Sequence, residues 1–230
     1  MTVDEKKDTY RLGRWVLRED WPLWLLMAAG LLVALALYPT LPDRIPIHWN
    51  IRGEIDGWSS RSGVFIMPAG IIGLYLLFLV LPLIDPRREN YPKFQSTYRI
   101  LRWTFVIFMT ALGGITLAAA RGVPINISFV VPVMVSVLFI IFGNLMGRIR
   151  YNWFVGIRTP WALSSEDVWR LTHRVAGRAW VIGGLISLVG AFFGGEVAAR
   201  VMGLGMGAAT IFAVAYSYFA WKKTGGGKLR

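Results

Sequence analysis

Six runs free of Asp, Glu, Lys, Arg and His divide this chain: 21–42, 62–84, 103–120, 122–147, 179–195 and 201–221. Each is close to the roughly 20 apolar residues that cross a bilayer core as a helix. The fifth is short, and the helical pattern before it supplies the missing turn. None of the runs shows the alternation of a barrel strand. The pattern therefore predicts an all-α integral membrane protein of six transmembrane helices. The predicted parts are an N-terminal segment 1–20, a membrane domain 21–221 and a tail 222–230.

Two connectors depart from plain links. In the first, 41–61, Ile45, Ile47 and Trp49 alternate with Pro46, His48 and Asn50, which predicts a strand with one apolar face. Arg52-Gly53 reads as a turn, and Glu54 to Trp58 as a return. The expected product is a small extracytoplasmic β-hairpin-like cap. The other is 146–178, within GNLMGRIRYNWFVGIRTPWALSSEDVWRLTHRVAGR, the longest polar interruption in the chain. Ser164, three residues before Asp167, resembles a helix N-cap, with Glu166 and Asp167 on the positive helix end. The helix places Val168, Leu171 and Val175 on one side. Arg170, Arg174 and Arg178 form a row at spacing four, and Trp169 and His173 share a face. Before it come aromatic anchors, Gly156 and a turn at Thr159-Pro160, which predicts a loop folded back on the bundle.

Connector 85–102 is basic, closed by Pro86 and Pro92, and reads as orientation and lipid contact. Arg121-Gly122-Val123-Pro124 is a tight turn. The N-terminal segment, with Trp15 and Trp21, reads as an interfacial helix leading into the first span, with Pro22 in its first turn. Small residues (Gly183, Ser187 and Ala191; Gly190 and Gly194; Ala199, Gly203 and Gly207) let backbones approach closely, within one chain or between copies.

Charge then sets orientation. Of the 25 Lys and Arg residues, 20 fall on the N-terminus, the second and fourth connectors and the tail. The remainder, Arg44, Arg52, Arg61, Arg121 and Arg200, fall on the opposite side. The positive-inside rule predicts both termini in the cytoplasm of a multi-pass cell-membrane protein, together with a cytoplasmic helical loop over 146–178. Topology thus accounts for the net charge of +12, and direct nucleic-acid binding is not expected. The charged first 20 residues lack a cleavage site after an apolar core, so no removable signal peptide is expected. The absence of cysteine excludes disulfides, a thiolate nucleophile and Cys-ligated zinc.

Both connectors carry a resemblance. LPDRIPIHWNIRGEIDGWSS and the stretch 143–178 are similar to the two signatures of the SdpI family of bacterial membrane proteins, in order, over roughly Leu23 to Trp221. The resemblance implies immunity to a secreted, membrane-active peptide toxin, joined in the family's best-known member to separable signalling through a cytosolic transcriptional repressor held at the membrane. On that expectation His48, Trp49, Asn50, Glu54, Asp56 and Trp58 form the toxin-sensing outer loop. Arg158, Thr159, Glu166, Asp167, Trp169, Arg170, His173 and Arg174 form the partner-docking side.

The residues themselves leave alternatives. His48, Asn50, Glu54 and Asp56 could crowd into a cation or acid–base site, although a polar hairpin face is the ordinary outcome. The arginine row could be a solvated face reaching lipid phosphates. A hydrolase using His48/Glu54/Asp56 or Glu166/His173 is the competing class, and a ligand-free envelope protein a third. No HExxH or GxSxG motif is present, and the predicted topology puts His48 and His173 on opposite sides. The runs hold no charge at mid-depth, which disfavours a pump or exchanger. No catalytic residue, metal or cofactor is expected.

Overall fold

A computed structural model describes residues 10–225; Lys6, Lys7, Lys228 and Arg230 lie outside them. The six apolar runs form helices α1 (Arg14–Leu37), α2 (Ile66–Ile84), α3 (Gln95–Ala120), α4 (Ile127–Met146), α5 (Glu166–Ala191) and α6 (Gly195–Lys223). All six are long and apolar enough to cross a membrane. Helices are the local solution because hydrocarbon offers no partner to a free N–H or C=O. Between α1 and α2 lies an antiparallel pair, β1 (Arg44–Trp49) and β2 (Ile55–Ser60). Six crossings put this hairpin at one end of the bundle and the 147–165 segment at the other.

Two N-terminal expectations are corrected. The interfacial helix and the first span are one continuous helix, and Pro22 lies inside it rather than in its first turn. Neighbouring groups can accommodate the lost hydrogen bond of a proline in a membrane helix. The fifth span is likewise continuous with the polar helix before it, as expected. The tight turn at 121–122 is present, with Gly122 at φ +79°.

The helices α4, α5 and α6 pack through glycine. A Cβ on Gly143 would stand 2.7 Å from the carbonyl oxygen of Gly177, and one on Gly177 would stand 2.5 Å from that of Gly143. Gly183 and Gly205 repeat the arrangement between α5 and α6, at 2.7 Å from the Gly205 oxygen. Small residues allow backbone-to-backbone contact where lipid gives no hydrophobic drive between helices. Gly177→Leu should therefore separate α4 from α5 and cost at least the roughly 1–3 kcal/mol of an overpacked core. Unfolding in detergent reads this directly, and an unchanged midpoint would refute the contact.

The helices α1, α2 and α3 instead meet through larger side chains. Leu23, Ile71, Tyr75, Leu79 and Val106 form one cluster, and Ala34, Leu41, Ile45, Val64 and Ala120 another beneath the hairpin.

Candidate functional site

The hairpin is built around Asn50. Its Oδ1 accepts from the backbone N–H of Arg52 at 2.8 Å and of Glu54 at 3.1 Å, and its Nδ2 donates to Glu54 Oε2 at 2.8 Å. An Asn that mimics backbone in this way is a strong turn former. Gly53 completes the reversal at φ +81°, the left-handed region in which glycine is unstrained. His48 Nδ1 lies 2.5 Å from Asp56 Oδ1. Gly57 is its partner across the ladder, and a Cβ there would come within 2.6 Å of the His48 Cβ. The four polar residues thus form two separate pairs, His48–Asp56 and Asn50–Glu54. Among the described residues no three His, Asp or Glu groups converge to hold a metal.

The expected apolar face of β1 is only partly realised. Ile45 and Pro46 are both buried while Ile47 is exposed, because the register slips between Pro46 and His48. An irregular pairing of this kind re-aims side chains. Ile47, Ile55 and Trp58 of the hairpin are all exposed, Trp58 at 48%.

The hairpin holds both halves of the bundle. Ile45 packs with Ala34, Val64 and Ala120. At the turn, Gly53 lies against Ser128 at the start of α4, and Arg52 Nε donates to Glu196 Oε1 of α6 at 2.8 Å. That hydrogen bond raises the Arg52 guanidinium above its ordinary pKa.

At the opposite end, residues 147–165 are fastened from three directions. Asn152 is fully buried and folds its own turn: its Oδ1 accepts from the N–H of Phe154 and Val155, and its Nδ2 donates to the carbonyls of Arg150 and Val155. The basic connector between α2 and α3 is more than an orientation signal. Asp85 Oδ2 accepts from Trp153 N and from Tyr91 Oη, both at 2.9 Å, and Asn90 Nδ2 donates to the Tyr151 carbonyl at 2.8 Å. Arg87 lies 4.0 Å from the centre of the Tyr151 ring. Tyr10 packs on Tyr91, and burial pushes its phenol up to about 12.

The third fastening is α5. Its N-cap is Ser165, whose Oγ accepts from Val168 N at 3.3 Å. This corrects the assignment to Ser164, whose hydroxyl donates to the Trp161 carbonyl. The buried stripe is Val168, Trp169, Thr172, His173, Ala176 and Gly177, with Leu171 and Val175 half-buried. His173 stacks on Trp169 with 3.9 Å between ring centres. Its Nε2 accepts from the backbone N–H of Ile157 at 3.0 Å, so its proton sits on Nδ1 and is donated to the Trp169 carbonyl at 2.9 Å. Trp169 Nε1 in turn donates to the Ile149 carbonyl at 2.9 Å.

The docking residues expected from sequence therefore divide. Arg158, Glu166, Asp167, Arg170 and Arg174 are exposed, with Arg170 paired to Asp167 at 3.0 Å. Trp169 and His173 are 2% and 1% exposed and offer no surface to a partner. Thr159 is half-buried and bonded to Ser217 of α6 at 2.8 Å. These three hold the loop from within, because their helix face and turn point into the bundle.

Sequence reasoning missed the ionisable group inside the spans. Asp20 of α1 and Arg102 of α3 are 0% and 1% exposed and pair at 2.7 Å. Asp20 also accepts from Trp103 Nε1 at 2.9 Å and from Tyr75 Oη at 3.1 Å, and Tyr75 accepts from Trp24 Nε1 at 2.7 Å. A signal was available: each charge directly precedes an apolar run, at 21 and at 103, and the two have opposite sign.

The architecture defines a multi-pass membrane protein with a hairpin cap at one end and a docked polar segment at the other. Residues 148–219 match the SdpI/YfhL protein family, and residues 25–72, which hold the hairpin, match a domain of unknown function (DUF1648). The chain is 28% identical over 204 residues to the "Immunity protein SdpI" of Bacillus subtilis (strain 168), covering 89% of this chain and 96% of that protein. No solved structure matches. The resemblance carried by the two motifs is thereby shown: the polar segment from residue 148 lies within the SdpI/YfhL match, and the hairpin within the DUF1648 match.

Proposed function

We propose that this chain is an immunity protein, protecting the membrane that holds it against a secreted, membrane-active peptide. It acts by binding rather than by catalysis. In this reading both termini are cytoplasmic, the hairpin faces outward, and residues 1–20 and 222–230 flank a 21–221 membrane domain. The outer surface that meets the peptide comprises His48, Trp49, Asn50, Glu54, Asp56 and Trp58.

One observation carries the reading: the hairpin is seated on α1, on the turn leading into α2 and on α3, while its own turn grips α4 and α6. A ligand that prefers one hairpin position would bias the packing of both halves. The far end carries the exposed Arg158, Glu166, Asp167, Arg170 and Arg174, a surface suited to a cytosolic transcriptional repressor or to anionic lipid head groups.

The test is membrane depolarisation. A sensitive bacterium expressing the chain is exposed to secreted peptides, and membrane potential is recorded. Protection against a peptide is expected, and it should be lost in Trp58→Ala and in His48→Ala. Protection that survives both substitutions would remove the hairpin from the mechanism. Absence of protection in cells holding inserted protein would remove the immunity reading.

A further inference from the structure

Beneath the hairpin, between α1, α2 and α3, lies a cavity of about 390 Å³. Its wall includes Gly30 and Ala34 of α1, Ile45 of β1, Met67 of α2, and Gly113 and Leu117 of α3. The volume is within the range of ligand sites, about 300–1,000 Å³. The wall is almost wholly apolar. Its two hydroxyl-bearing residues, Thr110 and Thr116, donate into their own helix, to the carbonyls of Val106 and Leu112 at 2.8 and 3.0 Å.

The cavity opens sideways. Ala29, Val33, Ile66 and Gly114 line it and are exposed, and all lie within candidate spans. In a bilayer the surroundings at that depth are hydrocarbon. A peptide backbone entering here would bring N–H and C=O groups that the wall cannot satisfy. A hydrocarbon tail brings none.

A second observation sits beside the wall. Arg61 lies two residues before Gly63, which also lines the cavity. Its Nη2 donates to Asp43 at 2.6 Å, whereas its buried Nε has no hydrogen-bond partner among the described residues. An unmet guanidinium donor two residues from the wall of an apolar slot fits the phosphate or ester oxygen of a lipid.

We propose that this cavity binds one membrane glycerophospholipid, with an acyl chain between α1, α2 and α3 and a head-group oxygen on Arg61 Nε. The inner wall includes Met27 and Ile71, which pack with Leu23 and Tyr75, and Tyr75 donates to Asp20. The bound chain thus completes the packing between the hairpin and the Asp20–Arg102 pair. The site stands apart from the immunity reading.

The full chain would be reconstituted in phosphatidylethanolamine/phosphatidylglycerol vesicles containing a phospholipid with a diazirine on its acyl chain. After photolysis, labelled positions are read by mass spectrometry. Labelling is expected to concentrate at 26–34, 66–71 and 110–120, above that of the outward Ile182 and Leu204. Gly30→Phe fills the slot, since a Cβ there meets nothing within 4 Å. It should cut cavity labelling by about tenfold, the equivalent of 1.4 kcal/mol, and leave Ile182 and Leu204 unchanged. Arg61→Gln should cut it less. If Gly30→Phe disturbs the outer labelling, Gly113→Leu replaces it, because its Cβ makes only an ordinary 3.5 Å contact with Met67. Cavity labelling no higher than at the outer faces, or insensitive to filling, overturns the proposal. So does a photoreactive apolar peptide that labels the slot and displaces the lipid.

Discussion

Asp20→Ala should destabilise the protein by about 3–5 kcal/mol, the usual cost of leaving a buried charge without its partner. The carboxylate accepts from three side chains on two other helices: Arg102 and Trp103 of α3 and Tyr75 of α2. Its loss deprives a guanidinium that is 1% exposed of its carboxylate and removes a polar tie shared by α1, α2 and α3. Arg102→Met alone should be comparably damaging. The double variant Asp20→Leu/Arg102→Met should recover much of the loss, because an apolar pair of similar volume carries no desolvation cost. Unfolding in detergent micelles, followed by tryptophan fluorescence, measures all three. Additive single effects would show that the two charges do not act as a pair.

Gly156→Ala should be the most damaging change in the polar segment. The residue has φ +116°, and a Cβ there would lie 2.3 Å from His173 Nε2. Alanine must therefore bear backbone strain of about 1–3 kcal/mol. It must also displace the imidazole that accepts from Ile157 N, leaving a buried donor unmet at a further cost of about 1–3 kcal/mol. The proton count sharpens the test, since His173 accepts through Nε2 only while neutral. Gly156→Ala/His173→Ala should cost less than the sum of the single changes, because the clash is then gone. Proteolysis at 153–160 in detergent micelles gives an independent readout, with faster cleavage expected in Gly156→Ala. Wild-type cleavage rates would mean that the ring does not hold this loop.

The two ends of the molecule differed in how much the sequence disclosed. The hairpin was legible because Arg52-Gly53 and the alternation over 45–50 are local signals, and local signals fix turns; the part Asn50 plays in the turn was not read. The bulge was not legible either, since Ile47 turns outward only when β2 pairs out of step. In the polar segment, spacing four placed Trp169 over His173, as found, but could not tell an inward face from an outward one. Helical periodicity fixes which residues are neighbours; what they face is set by the next helix. Trp169 and His173, expected on a docking surface, are buried for that reason. Thr159 is half-buried and bonded to Ser217, 58 residues away.

The sequence by itself determined six spans, the hairpin and the exposed arginine row, while α1, α3 and α5 begin well before their apolar runs. Each follows from hydrophobicity or from contacts within a few residues, which bilayer thickness and helix geometry enforce wherever the chain sits. The tertiary structure alone decided the Asp20–Arg102 pair, the Asp85 contact with Trp153, the Gly156 seat against His173 and the cavity under the hairpin. The three contacts join residues 17 to 82 positions apart, and a buried polar group takes whichever partner the fold delivers to it.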